Sequence, residues 1–253
     1  MYPVALLHRY IAGMSSFNGK NILVVGGSSG IGEAVVSQLL REDASVWLWS
    51  RRERKDLVEQ GVTCQSVDVT TDFDTESFSL PEILHGVVYA PGTINLAPFR
   101  MLKLDTFLQD YQVNVLGAVR VLKGVEERLF AAQGASVVLF STVAVRRGMQ
   151  FHTSIAAAKG AVEGLTISLA AEWAGRKVRV NAVAPSLTDT PLASRLLGNE
   201  KKAEAAAQRH PLGRVGTPDE LGRATCFLLH GDTSWITGQV LGVDGGLGAL
   251  SGF

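Results

Sequence analysis

The stretch Val24-Val25-Gly26-Gly27-Ser28-Ser29-Gly30-Ile31-Gly32 constrains this chain more than any other. A short apolar run, Ile22 to Val25, leads into spaced glycines, and an apolar-periodic segment from Ile31 to Leu40 follows, which reads as strand, tight turn, helix. Glycines without a Cβ let the backbone come close to a diphosphate. The start of the following helix then offers unpaired N–H groups and a partial positive charge. Ser28 and Ser29 add hydroxyl donors. A flexible loop before a helix would carry the same residues, so the decision falls to the rest of the chain.

Beyond that turn, apolar β-rich runs recur. Ala44 to Ser50 reads as a buried strand, and Thr63 to Val67, Gly86 to Ala90, Ala135 to Ser141, Val178 to Ala184 and Val240 to Val243 read as further strands. Helical periodicity fills Leu104 to Phe130 (Leu108, Tyr111, Val115, Val119, Leu122), Thr153 to Gly175 and Pro218 to Leu229, the last with Thr217 as N-cap and Pro218 at its first position. Only Thr70 to His85, with Pro81 and several polar residues, is too irregular for a full helical connection. Alternating strands and helices predict an α/β protein: one Rossmann-like, doubly wound parallel sheet with helices on both faces. At 253 residues, 46% of them hydrophobic, one domain over 17–253 is expected. From Pro185 to Pro211 the alternation breaks. Two helix-like stretches, Leu192 to Leu197 and Lys201 to Arg209, make 186–212 the expected substrate lid, with Leu192, Leu196 and Leu197 as apolar walls.

Charge excludes some partners. Lys plus Arg equals Asp plus Glu at 24 each, which offers nothing to nucleic acid or a membrane surface and suits a homo-oligomer that hides surface. Cys64 and Cys226 are too few for a disulfide framework and too far apart for a zinc knuckle; they read as buried free thiols in a reducing cytoplasm, and no metal site is expected. Residues 1–16 read as an N-terminal extension, because His8 and Arg9 interrupt the apolar run from Val4 to Leu7, and Met14 is an alternative start.

The end of the second strand bears on nucleotide choice. About 20 residues beyond the glycines, where an acid would hold the ribose hydroxyls of NAD, this chain has Ser50, Arg51 and Arg52. An uncharged donor beside guanidinium groups suits a 2′-phosphate, so NADP(H) is favoured over NAD(H), the other reading being a solvated helix start over Arg51 to Lys55.

Further short pieces complete the set: Asp68-Val69, Pro91-Gly92, Asn114-Val115, Ser141-Thr142, Lys159, Val180-Asn181-Ala182-Val183-Ala184-Pro185, Thr190-Pro191, Ile236-Thr237-Gly238-Gln239 and Val243-Asp244-Gly245-Gly246. With this ordered set, from about Lys20 to Gly246, the chain resembles the short-chain dehydrogenase/reductase family. The resemblance implies a hydride-transferring oxidoreductase acting on a small carbonyl or alcohol, and assembly as a tetramer or dimer through the helices at 104–130 and 153–175. It implies that Gly26, Ser28, Ser29, Gly30, Ile31, Gly32, Ser50, Arg51, Arg52 and Gly92 bind the dinucleotide, that Asp68 and Val69 flank its adenine, and that Lys159 holds the nicotinamide ribose. Pro185 and the segment Leu187, Thr188 to Thr190 would reach the carboxamide and phosphates. Thr142 would orient the carbonyl, Asn114 would hold a water relay, and Lys159 would tune a tyrosine four residues before it.

That position is Ile155. Positions four apart share a helix face, so the pair is geometrically right, yet an isoleucine cannot move a proton. Ser154 lies round the helix from Lys159; His152 lies seven residues away, roughly 10 Å along the axis; Tyr89 ends a strand facing the crevice and reads better as packing. Two functional readings follow: an oxidoreductase with an atypical proton donor, or a nucleotide-binding protein with impaired catalysis and a structural or regulatory role.

Overall fold

The computed structural model describes residues 16–251. The expected extension, apart from Ser16, and the alternative start at Met14 lie outside them. Seven strands, β1 Asn21–Val25, β2 Ser45–Ser50, β3 Thr63–Ser66, β4 Gly86–Tyr89, β5 Ser136–Phe140, β6 Arg179–Pro185 and β7 Val240–Val243, form one sheet in the order β3-β2-β1-β4-β5-β6-β7, and every neighbouring pair is parallel. Strand order reverses between β1 and β4, which opens a crevice at their carboxyl ends. The glycine turn hangs at the end of β1, and Pro91-Gly92 follows β4.

Both faces of the sheet are covered. Alternate residues of β1 go to opposite sides: Leu23 and Val25 join the helices α4 Gly117–Ala131 and α5 Thr153–Trp173, while Ile22 and Val24 join α1 Gly30–Arg41 and α7 Pro218–Leu229. Two apolar layers therefore clamp strands that are buried on both sides. Thr217 and Glu220 form the reciprocal cap expected at the head of α7. Between them α2 Lys55–Glu59 is one short turn, and the link from β3 to β4 carries only a 3₁₀ turn at Thr75–Ser77, as its irregular sequence predicted.

The expected single helix over 104–130 needs correction. It is α3 Leu104–Tyr111, a π-turn over Gln112–Leu116, and α4. In the π-turn the Gly117 N–H bonds back to Gln112 O, five residues away, and the wider turn rotates the buried face. Leu108 and Tyr111 are consequently exposed, whereas Val115 and Leu122 are buried, so the apolar periodicity belongs to two different faces. Asn114 sits in the turn. Among the described residues, no helix is long and apolar enough to cross a membrane.

Candidate active site

A cavity of about 440 Å³ lies where the carboxyl ends of β4, β5 and β6 meet the segment after β6. Of the residues singled out from sequence, Ile31, Gly92, Thr142, Ile155, Lys159, Pro185, Leu187, Thr188 and Thr190 all line it. Residues of the 186–212 segment line it too: Leu192 and Leu196 form apolar wall, as does Ala205 from α6 Glu200–Gln208. Leu197 does not line it. The expected helix over Leu192–Leu197 is one 3₁₀ turn, Pro191–Ala193, which Thr190 caps.

Beside the cavity stands the glycine turn. Gly26 has φ +79° and a Cβ there would meet Pro91 at 2.9 Å; Gly30, at φ +58°, lies against Thr190. Ser29 precedes α1 with no side-chain cap, and Ser28, Ser29, Gly30 and Ile31 are all partly exposed, so the helix start is open to an anion. Gly32 is buried at the first turn of α1. Across the turn lie Ser50, Arg51, Arg52, Asp68 and Val69, at or just beyond the ends of β2 and β3. Arg51 and Arg52 are exposed and make no ion pair among the described residues. Ser50 differs from expectation, since its hydroxyl donates to Arg52 O at 2.6 Å. Arg54 is committed as well: it pairs with Glu33 and Asp56 and donates to Ser28 O, which ties the basic cluster to the glycine turn. Hydrogen bonds from the Thr70 hydroxyl and N–H, with a smaller contribution from the Arg51 charge, hold the Asp68 carboxyl below its usual range.

Lys159 and Asn114 meet behind Gly92. A Cβ at Gly92 would stand 3.4 Å from Asn114 Oδ1 and 3.7 Å from Lys159 Nζ, so both groups reach the same stretch of the cavity wall. Asn114 donates through Nδ2 to Thr93 Oγ1 and to Asp110 O, while its Oδ1 is buried without a partner. Lys159 is buried and donates to Phe140 O at 2.8 Å. Burial pulls its pKa from 10.5 down to about 8, against an opposing pull from the Asp110 charge. An orphaned buried carbonyl and a buried ammonium, both within 4 Å of the same point beside Gly92, fit a polar ligand reaching in from the cavity. A polyhydroxylated ligand such as the dinucleotide suggested by the sequence offers both a donor and an acceptor there.

Sequence reasoning missed Asp110. It is wholly buried and accepts from the hydroxyls of Thr93 and Ser154 and from Asn95 Nδ2. The hydroxyl of Ser154 is thereby committed away from the reaction space. Tyr89 is packing: it is 2% exposed, its hydroxyl donates to Val113 O, and burial raises its pKa. His152 does line the cavity, with its Nδ1 on Gln150 O at 2.7 Å. Thr142 Oγ1 lies 3.5 Å from Pro185 O. The next residue, Ser186, bonds His210, a buried histidine that belongs to no motif in the sequence. A serine hydroxyl next to the site needs a partner, and that need was the available signal. Cys226 is buried, its thiol pushed up to about 12; Cys64, expected to be buried too, is only half-buried.

Comparison with known proteins finds relatives over nearly the whole chain. The enoyl-(acyl carrier protein) reductase family model matches residues 25–248. A tropinone reductase homolog of Arabidopsis thaliana is 35% identical over 252 residues, covering 94% of this chain and 96% of its own. The 3-oxoacyl-acyl-carrier-protein reductase FabG of Thermotoga maritima is 34% identical over 242 residues, covering 90% and 98%. Among solved structures, a putative 2-deoxy-D-gluconate 3-dehydrogenase of Agrobacterium tumefaciens with bound NADP superposes with a TM-score of 0.84 at 26% identity, over 93% of this chain and 98% of its own.

Proposed function

This chain belongs to the short-chain dehydrogenase/reductase family of oxidoreductases, and on that footing we propose that it exchanges hydride between NADP(H) and a small carbonyl or alcohol, with Ile155 in place of the family's tyrosine. The convergence of Lys159 and Thr142 on one cavity, with Asn114 buried behind its Gly92 wall, carries the reading. Its nucleotide end is drawn from the open helix start behind Gly26 to Gly32, and its preference for NADP from the unpaired Arg51 and Arg52.

In this reading the dinucleotide supplies or accepts the hydride when bound. Lys159 donates to its nicotinamide ribose, and Asn114 Oδ1 receives a donor from the ligand or a water. Thr142, whose hydroxyl rests 3.5 Å from Pro185 O, would turn to donate to the substrate oxygen and hold the carbonyl in line, an orientation effect separate from proton transfer. Ile155, 5% exposed on the cavity wall, gives apolar surface and nothing to titrate. A missing general acid costs about 10²- to 10⁴-fold, so a slow enzyme remains even where nothing replaces it. The exposed apolar residues Leu104 and Leu108 on α3 and Ile167 on α5 favour a homo-oligomer formed through these helices.

Fluorescence titration with NADPH and NADH, followed by NADPH oxidation against a panel of carbonyl compounds, tests the reading. Turnover by the wild type is expected. Failure to bind either nucleotide sinks it, and turnover only after Ile155→Tyr hands the case to the impaired, nucleotide-binding alternative. The paired change Arg51→Ala and Arg52→Ala should weaken NADPH about tenfold while NADH stays within about twofold, since only the former offers a phosphate to a charge-assisted bond. Equal losses for both nucleotides would remove the preference for NADP.

A further inference from the structure

Ser186 and His210 make a second polar pair in the cavity, apart from Thr142, Lys159 and Asn114. Ser186 Oγ lies 2.7 Å from His210 Nε2, and His210 Nδ1 lies 2.8 Å from Ala206 O. A carbonyl can only accept, so the proton on the neutral ring sits at Nδ1 and Nε2 presents its lone pair to the Ser186 hydroxyl. Hydroxyl, imidazole and orienting carbonyl thus stand in the order that activates a serine for proton transfer. The ring is buried and fixed, 4% exposed, while Ser186 is half-buried at the cavity end of β6. Both residues line the same cavity as Thr142, Ile155 and Lys159, and Thr142 Oγ1 reaches the carbonyl of the residue just before Ser186.

Resting on the oxidoreductase reading, we propose that Ser186 and His210 are the proton relay of this site and do the work that Ile155 cannot. In the oxidising direction the substrate O–H bond breaks and its proton goes to Ser186 Oγ, as the Ser186 proton goes to His210 Nε2. The carbinol C–H bond breaks with its electron pair, which leaves as hydride to an oxidised nicotinamide, and the C=O double bond forms. His210 ends as an imidazolium with Nδ1–H still on Ala206 O, and it returns its proton to water in the cavity. Reduction runs the same transfers backwards, the imidazolium supplying the proton and a reduced nicotinamide the hydride. The relay touches substrate only through Ser186; His210 acts behind it.

A mere latch between β6 and the lid would use the same two bonds, and kinetics separate the two roles. The relay predicts that Ser186→Ala lowers kcat about 100-fold with KM within about twofold and NADPH affinity unchanged, that Ser186→Thr keeps most of the rate, and that His210→Asn behaves as Ser186→Ala. Adding Ile155→Tyr to Ser186→Ala should recover at least tenfold of the loss. A latch predicts a raised KM with kcat kept. Nitrogen NMR of the protein without substrate gives a separate readout: His210 protonated on Nδ1 in the wild type, with an Nε2 shift that changes on Ser186→Ala. Wild-type kcat in Ser186→Ala, an Nε2-protonated His210, or a wild type inert where Ile155→Tyr is active would each overturn the relay. Loss of NADPH binding in the wild type would instead overturn the oxidoreductase reading, and the relay with it.

Discussion

Gly32→Ala is expected to cost about 3 kcal/mol of stability, the upper end for an overpacked site, and to weaken NADPH at least tenfold. Gly32 is buried in the first turn of α1, and a Cβ there would collide with Gly26 O and stand 2.9 Å from Gly26 C and Gly27 Cα. All three are backbone, so no side chain can swing aside. The turn itself has to move, and the turn is what aims the N–H groups of α1 at a diphosphate. Losing one charge-assisted hydrogen bond is worth about 1.5–3 kcal/mol, roughly ten- to a hundredfold in affinity. A domain of this size loses about 2–4 °C of melting temperature per kcal/mol, so a fall of roughly 6–12 °C is expected. Gly164→Ala is the control: it is on exposed α5 surface with nothing within 4 Å of a Cβ, and it should leave NADPH affinity alone. Gly32→Ala protein that melts and binds NADPH as the wild type does would separate the glycine turn from nucleotide binding.

Much of this architecture is legible along the chain because period and punctuation act locally. The inner strands, buried on both faces, appear as mostly apolar runs, the edge strands β3 and β7 as shorter and less buried ones, and each of the seven lies within about one residue of the stretch that announces it. The π-turn was not legible, since one extra residue in a helical turn leaves Leu108, Tyr111, Val115 and Leu122 in unbroken helical spacing while moving the first two into solvent. In the site, residues tied to a sequence motif were readable, and those tied only through space were not. Asp110 gathers Thr93 and Asn95 from one loop and Ser154 from α5, and His210 meets Ser186 from the far end of the lid. No spacing rule announces such contacts. What did show in the sequence was one demand: Ile155 left a proton without a carrier.

Lys159→Met should raise stability and lower activity at once, a combination that a purely structural lysine cannot give. Lys159 is buried on α5 with one hydrogen bond, to Phe140 O, and burial lowers its pKa from 10.5 to about 8. Because the folded value lies below the unfolded one, the unfolded chain binds the extra proton between about pH 8 and 10.5, and stability climbs with pH over that window. Below pH 8 the charge is kept at a cost of about 3 kcal/mol, since each tenfold loss of proton affinity on folding is worth about 1.4 kcal/mol. Methionine removes that cost and forfeits a hydrogen bond worth about 1 kcal/mol. The protein without nucleotide should therefore melt higher than the wild type at pH 7, and the difference should shrink towards pH 10. Turnover should move the other way, falling at least about 100-fold, because the ammonium is a buried cation on the cavity wall and is asked to hold the nicotinamide ribose. NADPH affinity of the wild type should likewise decline as pH rises through about 8, where the charge is lost. If Lys159→Met melts lower at pH 7 and its loss is independent of pH, the lysine is part of the scaffold and the site lacks the cation on which the proposed chemistry depends.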